Sequence, residues 1–254
     1  AFYESPAIEY IITFFMFLGG TSFVLIYLAL KGKFVRIWQN EEFRAYATLT
    51  FGVTVLVSII LMFKNGIPLE QAFRESIFQV VAILTTTGYA TADFTIWGAS
   101  VALIFFTLMF VGGSAGSTAG GVKIIRHLMI AKNSIIEFKR QLHFSAIIPV
   151  RFNGKAVAHE ITRNILAFVI IYLTIFGIGS VSLTLLGMDA LTAMGSVATS
   201  LGNVGPGLNE TGPSLTFSQI PSLAKWILGA LMVVGRLEIF TVLIIFTGYF
   251  WRDT

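Results

Sequence analysis

Long stretches without a charged residue alternate along this chain with short polar segments. Tyr10 to Leu30, Ala45 to Phe63, Phe94 to Val122 and Asn164 to Met188 contain no Asp, Glu, Lys or Arg. Each is about as long as the roughly 20 residues a helix needs to cross a bilayer. Trp226 to Trp251 makes a fifth such stretch, interrupted by Arg236 and Glu238. Two further apolar segments are too short. Pro68 to Leu84 carries Glu70, Arg74 and Glu75 in its first half, leaving only Ser76 to Leu84 uncharged. That uncharged part rises roughly 14 Å as helix, about half of the ~30 Å hydrocarbon core. Ala190 to Leu201, which Asp189 is placed to cap, rises roughly 18 Å. Both read as re-entrant helices that dip into the membrane and do not cross it.

Composition agrees with a bilayer setting. Of 254 residues 56% are hydrophobic, and the mean hydropathy of +0.83 is far above that of a soluble domain. Tyr10 to Leu30 is too long for a signal peptide and lacks its basic leader, while an initial Ala1 in place of Met fits a piece of a longer chain. The absence of cysteine removes disulfide and thiolate chemistry. The net charge of +4 is informative by position. Of 17 Lys and Arg, four lie between Lys31 and Arg44 and eight between Lys123 and Arg163, and Arg252 follows the last span. The positive-inside rule puts those connections and the C-terminus in the cytoplasm, the last span being anchored by Tyr249, Phe250 and Trp251. These basic runs flank spans and have no aromatic readout pattern, so they orient the chain in lipid and do not point to nucleic acid.

The segment after each short helix carries the candidate chemistry. The first leads into Thr85-Thr86-Thr87-Gly88-Tyr89, and the second into Asn203-Val204-Gly205-Pro206-Gly207. An irregular segment at membrane depth is tolerated only where it lines a cavity. A helix that ends there aims the negative end of its dipole at a cation. A filter needs backbone carbonyls turned toward a dehydrated ion, with glycine where side chains would crowd the axis. A Thr-rich run ending in Gly-Tyr also occurs in plain strands; the second stretch in the same setting favours the filter.

The run Gly112-Gly113-Ser114-Ala115-Gly116-Ser117-Thr118-Ala119-Gly120-Gly121 has five glycines in ten residues. As regular helix it would lose roughly 4–5 kcal/mol relative to alanine, which predicts a break near mid-membrane. Beyond it Val122 to Arg140 reads as a basic amphipathic helix. Gln141 to Thr162 is a polar surface linker, with a hairpin around Asn153-Gly154 that offers a place for a cytoplasmic partner. The glycine run allows three rival readings. As a phosphate loop it fails at Val122 and Ile124 and has no preceding strand. The Gly-x-Ser-x-Gly pattern at Gly112 to Gly116 would suit an intramembrane serine protease, but His127, His143 and His159 all fall in the cytoplasmic stretch. Gly112, Gly116 and Gly120 at four-residue spacing would also suit a close-packed helix face.

The chain repeats. Aligning Gly88 with Gly205 matches Val80 with Val197 and Leu84 with Leu201, and sets Thr87 against Val204. Leu108-Met109-Phe110-Val111-Gly112-Gly113 then aligns with Leu231-Met232-Val233-Val234-Gly235-Arg236, and Met16-Phe17-Leu18-Gly19-Gly20 supplies a third copy. Each unit is an outward helix, a re-entrant helix with its filter stretch, and an inward helix. Successive units are parallel in topology and suit a ring about the membrane normal. Arg236 falls roughly 16 Å into its helix by rise, too deep for an unpartnered charge. It is expected to face the pathway below the filter, or to pair with a carboxylate on another helix.

These features resemble the Trk/Ktr/HKT superfamily of potassium transporters, over essentially the whole chain. The glycine run together with Arg236 points to the bacterial TrkH type. The resemblance implies an all-α membrane protein of repeated helix, pore-helix and helix units around a pseudo-fourfold pore. On that reading residues 1–43 end the second unit, 44–140 form the third, 141–162 a cytoplasmic linker and 163–254 the fourth. It implies potassium uptake across the bacterial inner membrane, with ion-binding carbonyls at Thr85, Thr86, Thr87, Gly88, Asn203, Val204 and Gly205. It also implies gating by Gly112 to Gly121 with Arg236, a homodimer in membrane lipid, and a cytoplasmic nucleotide-binding regulatory ring. It gives no catalytic residue. A sodium-carrying or ion-coupled transporter is the alternative.

Overall fold

The computed structural model describes residues 5–142, 148–248 and 250–251. Helix α1 (Pro6–Gly19) starts with proline in its first turn, where the missing N–H costs no hydrogen bond. It breaks at Gly20, and α2 (Phe23–Leu30) leaves at 112° to it. After α3 (Phe34–Gln39), Asn40 caps α4 (Glu41–Asn65) by accepting the Phe43 N–H, and Gly66 ends it in the left-handed conformation. The first short helix is α5 (Leu69–Leu84). The predicted inward span from Phe94 resolves into a 3-10 turn (Phe94–Trp97) and α6 (Ala99–Leu108). Irregular chain follows until α7 (Ile124–Leu142), so the glycine run breaks the helix as its propensity requires.

Two short strands, β1 (Arg151–Phe152) and β2 (Lys155–Ala156), pair around Asn153 and Gly154, both at positive φ. That is the conformation a two-residue Asn-Gly hairpin needs. The hairpin is no free linker. Asn153 Oδ1 accepts the Glu41 N–H at 2.9 Å, and Lys132 donates to the Arg151 carbonyl while pairing with Glu41. Helix α8 (His159–Leu185) then runs unbroken to the second short helix, α9 (Ala190–Gly202), capped by Asp189 as expected.

The predicted last span is not one helix. α10 (Ser222–Arg236) ends at Arg236, and α11 (Ile239–Ile245) leaves at 111° through Glu238, whose φ is 61°. Thus α4 and α8 are each long and apolar enough to cross a membrane unbroken, and the bent pairs α1–α2 and α10–α11 bring the number to four if each is one span. The predicted span from Phe94 to Val122 falls short because α6 ends at Leu108.

Burial explains the arrangement. From Phe78 to Leu84 every residue of α5 is buried, as is the following Thr85, and so is every residue of α9 from Gly195 to Gly202. Each short helix is the pillar of its own apolar cluster. Around α5 lie Val57 and Leu61 of α4 and Val101 and Phe105 of α6. Around α9 lie Phe168 and Leu183 of α8 and Ala224 and Leu228 of α10. One side of α4 is a ladder of Tyr46, Thr50, Thr54 and Ser58, each hydroxyl of the last three donating to the carbonyl four residues back at 2.7–2.8 Å. The compact Thr50, Thr54 and Ser58 let α5 approach closely, Ser58 Oγ lying 3.4 Å from the Ala72 carbonyl. The outer faces are apolar instead: Phe63, Ile170, Ile178 and Leu185 are 63–85% exposed. Such surface on long helices belongs against lipid.

Candidate functional site

The two short helices end alike. Past α5, the Thr86 and Thr87 N–H groups donate to the Ile83 and Ala82 carbonyls at 3.1 and 3.0 Å; past α9, Asn203 and Val204 donate to Ser200 and Thr199 at 3.1 and 2.9 Å. This is the Schellman closure, and the left-handed residue it demands is Thr86 or Asn203, each at φ 54°. Asparagine tolerates that conformation, whereas β-branched threonine is strained in it. Two residues on, Gly88 and Gly205 are again at positive φ, 74° and 115°. Left-handed residues alternating in this way turn successive peptide groups to one side.

The two stretches touch. A Cβ on Gly88 would lie 2.8 Å from the Val204 carbonyl oxygen, and one on Gly205 would lie 3.1 Å from the Gly88 Cα. Their polar side chains are engaged elsewhere. Thr85 Oγ1 donates to the Val81 carbonyl at 2.7 Å, Thr87 Oγ1 lies 3.0 Å from Met16 Sδ, and Asn203 Nδ2 donates to the Met232 carbonyl at 3.1 Å. The main chain is therefore the principal source of oxygen for an ion here.

The glycine run packs against the end of both stretches. Gly120 donates its N–H to Thr86 Oγ1 at 2.7 Å, and a Cβ on Gly120 would overlap the Gly202 carbonyl at the end of α9. On its other side the run is bonded to the α1–α2 break. Ser114 N–H donates to Gly20 O at 2.9 Å, Thr118 Oγ1 to Gly19 O at 3.0 Å, and Phe23 N–H to Gly116 O at 3.0 Å. Gly112, Gly116 and Gly121 supply positive φ values of 70–75° at its corners. Two cations grip neighbouring carbonyls of the run: Arg236 Nη1 donates to Thr118 O at 3.2 Å, and Lys123 Nζ donates to Ala119 O. Glu238 turns away from Arg236 and pairs with Arg126 at 2.5 Å, whose guanidinium stands 3.8 Å over the Phe168 ring. Ser114 Oγ is buried and has no hydrogen-bond partner among the described residues, so the Gly-x-Ser-x-Gly pattern gains no base there.

Residues 1–252 match the family described as "TrkH: Cation transport protein". The chain belongs to the TrkH family. It is 36% identical over 252 residues to the Trk system potassium uptake protein TrkH of Halomonas elongata, covering 99% of this chain and 52% of that protein. With the Escherichia coli K12 protein of the same name it shares 33% identity over 258 residues, again 99% of this chain and 52% of the relative. The crystal structure of the potassium transporter TrkH from Vibrio parahaemolyticus superposes with a TM-score of 0.90 at 34% identity, over 98% of this chain and 54% of that one. The chain thus spans about half the length of the TrkH relatives it matches, and it shares their helical, membrane-type fold.

Within this TrkH-family chain the predicted site residues converge: Thr85 to Gly88, Asn203 to Gly205, Gly112 to Gly121 and Arg236 form one connected cluster. Sequence reasoning missed three contributors. Tyr46, fully buried, stacks on Phe17 with ring centroids 4.7 Å apart and donates to the Phe17 carbonyl at 3.1 Å. Lys123 reads in the sequence only as a basic residue that orients the chain. Glu42, 6% exposed, accepts the Ala115 N–H at 2.6 Å; the available signal was the acidic pair Glu41 and Glu42 just before an uncharged run.

Proposed function

We propose that this chain forms part of a membrane pathway for potassium uptake, contributing the third and fourth of four units around one pore. The observation that carries the reading is the contact of Gly88 with Gly205 beside a loop bonded to both Thr86 and Arg236. The carbonyls of Thr85, Thr86, Thr87, Gly88, Asn203, Val204 and Gly205 replace the hydration shell of a potassium ion, which is cargo and not a resident cofactor. Helices α5 and α9 direct their carbonyl ends at it. The work is transport and needs no chemistry on the ion.

Gly112 to Gly121 occludes the pathway on the cytoplasmic side of the filter, and Arg236 adds an electrostatic barrier to cations. The unit boundaries fall near residues 43, 140 and 162, with the linker, its hairpin and the C-terminus in the cytoplasm and the protein in the bacterial inner membrane. The relatives' names place them in a Trk system, which supports partners for this chain as well. We assign it a homodimer in lipid and a nucleotide-binding regulatory ring on the cytoplasmic face.

The deciding experiment uses the intact protein in a bilayer with potassium on one side and sodium on the other. A reversal potential near the potassium limit supports the reading, and one near zero or on the sodium side refutes a potassium filter. In the same preparation Arg236→Ala raises cation flux; unchanged or lower flux in folded protein refutes the gating role of Arg236.

A further inference from the structure

Glu42 is the most buried charged residue among those described, at 6% exposure, and it forms no ion pair among them. Its partner is a main-chain amide: the Ala115 N–H donates to Oε1 at 2.6 Å. Ala115 lies on the leg of the glycine run that descends from α6. The carboxylate therefore ties the descending leg to the first turn of α4. Hydrogen bonds from amides to an ionised acceptor are short and about twice as strong as neutral ones.

The turn that carries Glu42 is itself held from the cytoplasmic side. Its neighbour Glu41 pairs with Lys132 of α7 and gives its N–H to Asn153 of the hairpin. The hairpin, α7 and the glycine run thus meet at the first turn of α4.

We propose that Glu42 is a positioning residue that holds the glycine loop in its occluding place by binding the Ala115 amide to the first turn of α4. This rests on the reading of that loop as the occlusion. When the carboxylate is absent the Ala115 amide loses its acceptor, and the loop gains by moving to where water can reach it. Glutamine keeps one neutral acceptor oxygen and restores part of the hold; alanine keeps none.

The test is single-channel recording on the full-length protein in bilayers, comparing native protein, Glu42→Ala, Glu42→Gln and a variant shortened within residues 116–119. Glu42→Ala is expected to raise open probability about ten- to a hundredfold, with unitary conductance and reversal potential unchanged, and Glu42→Gln to fall between it and native. A residue that only stabilises the fold would lower the yield of channels without raising their opening. If Glu42→Ala gives no folded protein, Glu42→Gln alone must exceed native opening for the proposal to stand. Free conduction by the shortened variant with native opening in the Glu42 variants overturns the proposal and leaves the occluding loop intact. Native opening in all three overturns both.

Discussion

Replacing Thr86 by valine removes one oxygen and almost nothing else. The shape and β-branching are kept, so the cost of holding φ at 54° is the same in both proteins. What disappears is the acceptor for the Gly120 N–H, 2.7 Å away. Gly120 is enclosed, with the Gly202 carbonyl and the Asn203 Cβ packed against its Cα, and no water can take the place of Thr86 Oγ1 without moving the loop. A buried amide left without an acceptor costs about 1–3 kcal/mol. On the proposed gating role the penalty falls on the occluded state alone, because a displaced loop meets water. At ~1.4 kcal/mol per decade, the closed-to-open ratio falls about five- to 150-fold. Unidirectional rubidium or potassium uptake into liposomes reads this directly, with Thr86→Ser as the control that keeps the hydroxyl and native flux. The reversal potential stays put, since the ion sees main-chain oxygen. Native flux in folded Thr86→Val, or an equal rise in Thr86→Ser, would refute the coupling of filter and loop through this hydroxyl.

Gly88→Ala meets a contact of 2.8 Å to the Val204 carbonyl and a φ of 74°; the overpacking costs about 1–3 kcal/mol and separates the two stretches. Its bi-ionic reversal potential shifts toward sodium, and a native value would contradict the proposed filter. Asp189→Ala strips the cap from Leu191 and Thr192, lowering stability by about 0.5–2 kcal/mol, seen as a lower Tm of the intact protein; an equal Tm refutes it. Burial pushes the His127 imidazole below its ordinary value, so the fold holds it neutral while the unfolded chain takes up a proton more readily. Its contribution is complete above about pH 6.5 and declines as pH falls below that. His127→Gln removes that part of the acid sensitivity of Tm, and identical pH profiles would refute it.

The sequence made α5 and α9 legible because their apolar runs are too short to cross and each leads into a glycine-bearing stretch. Asn203 foreshadowed its left-handed turn; Thr86 did not, since β-branching argues against that conformation and only the Gly120 amide gives the hydroxyl a role there. The glycine run was visible from propensity alone. The breaks at Gly20 and after Arg236 were not, because Met16 to Gly20 and Met232 to Arg236 lie in runs whose hydropathy fits a straight span. For the same reason the expected continuation of the helix past Arg236 was wrong: Arg236 is the last helical residue, and Glu238 sits at a positive φ and pairs with Arg126.

Those breaks share one cause, and it bears on how the pathway opens. Gly20 faces Thr85 and the Tyr46 hydroxyl, where a Cβ would come within 2.5 Å of both side chains, and a Cβ on Gly235 would overlap the Leu201 carbonyl. Each inward helix needs a bare backbone where it meets the end of a short helix, and glycine there also weakens helical continuation. A broken helix leaves carbonyls without intrahelical donors, and enclosed ones must find others. Gly19 and Gly20 find them in Thr118 and Ser114, and Gly113 in Ile124. The glycine run is thus the hydrogen-bond partner that the first break requires, and not a plug resting in a finished hole. A loop that leaves must hand those acceptors to water, so on the proposed gating role its displacement and the hydration of the space it vacates are a single event.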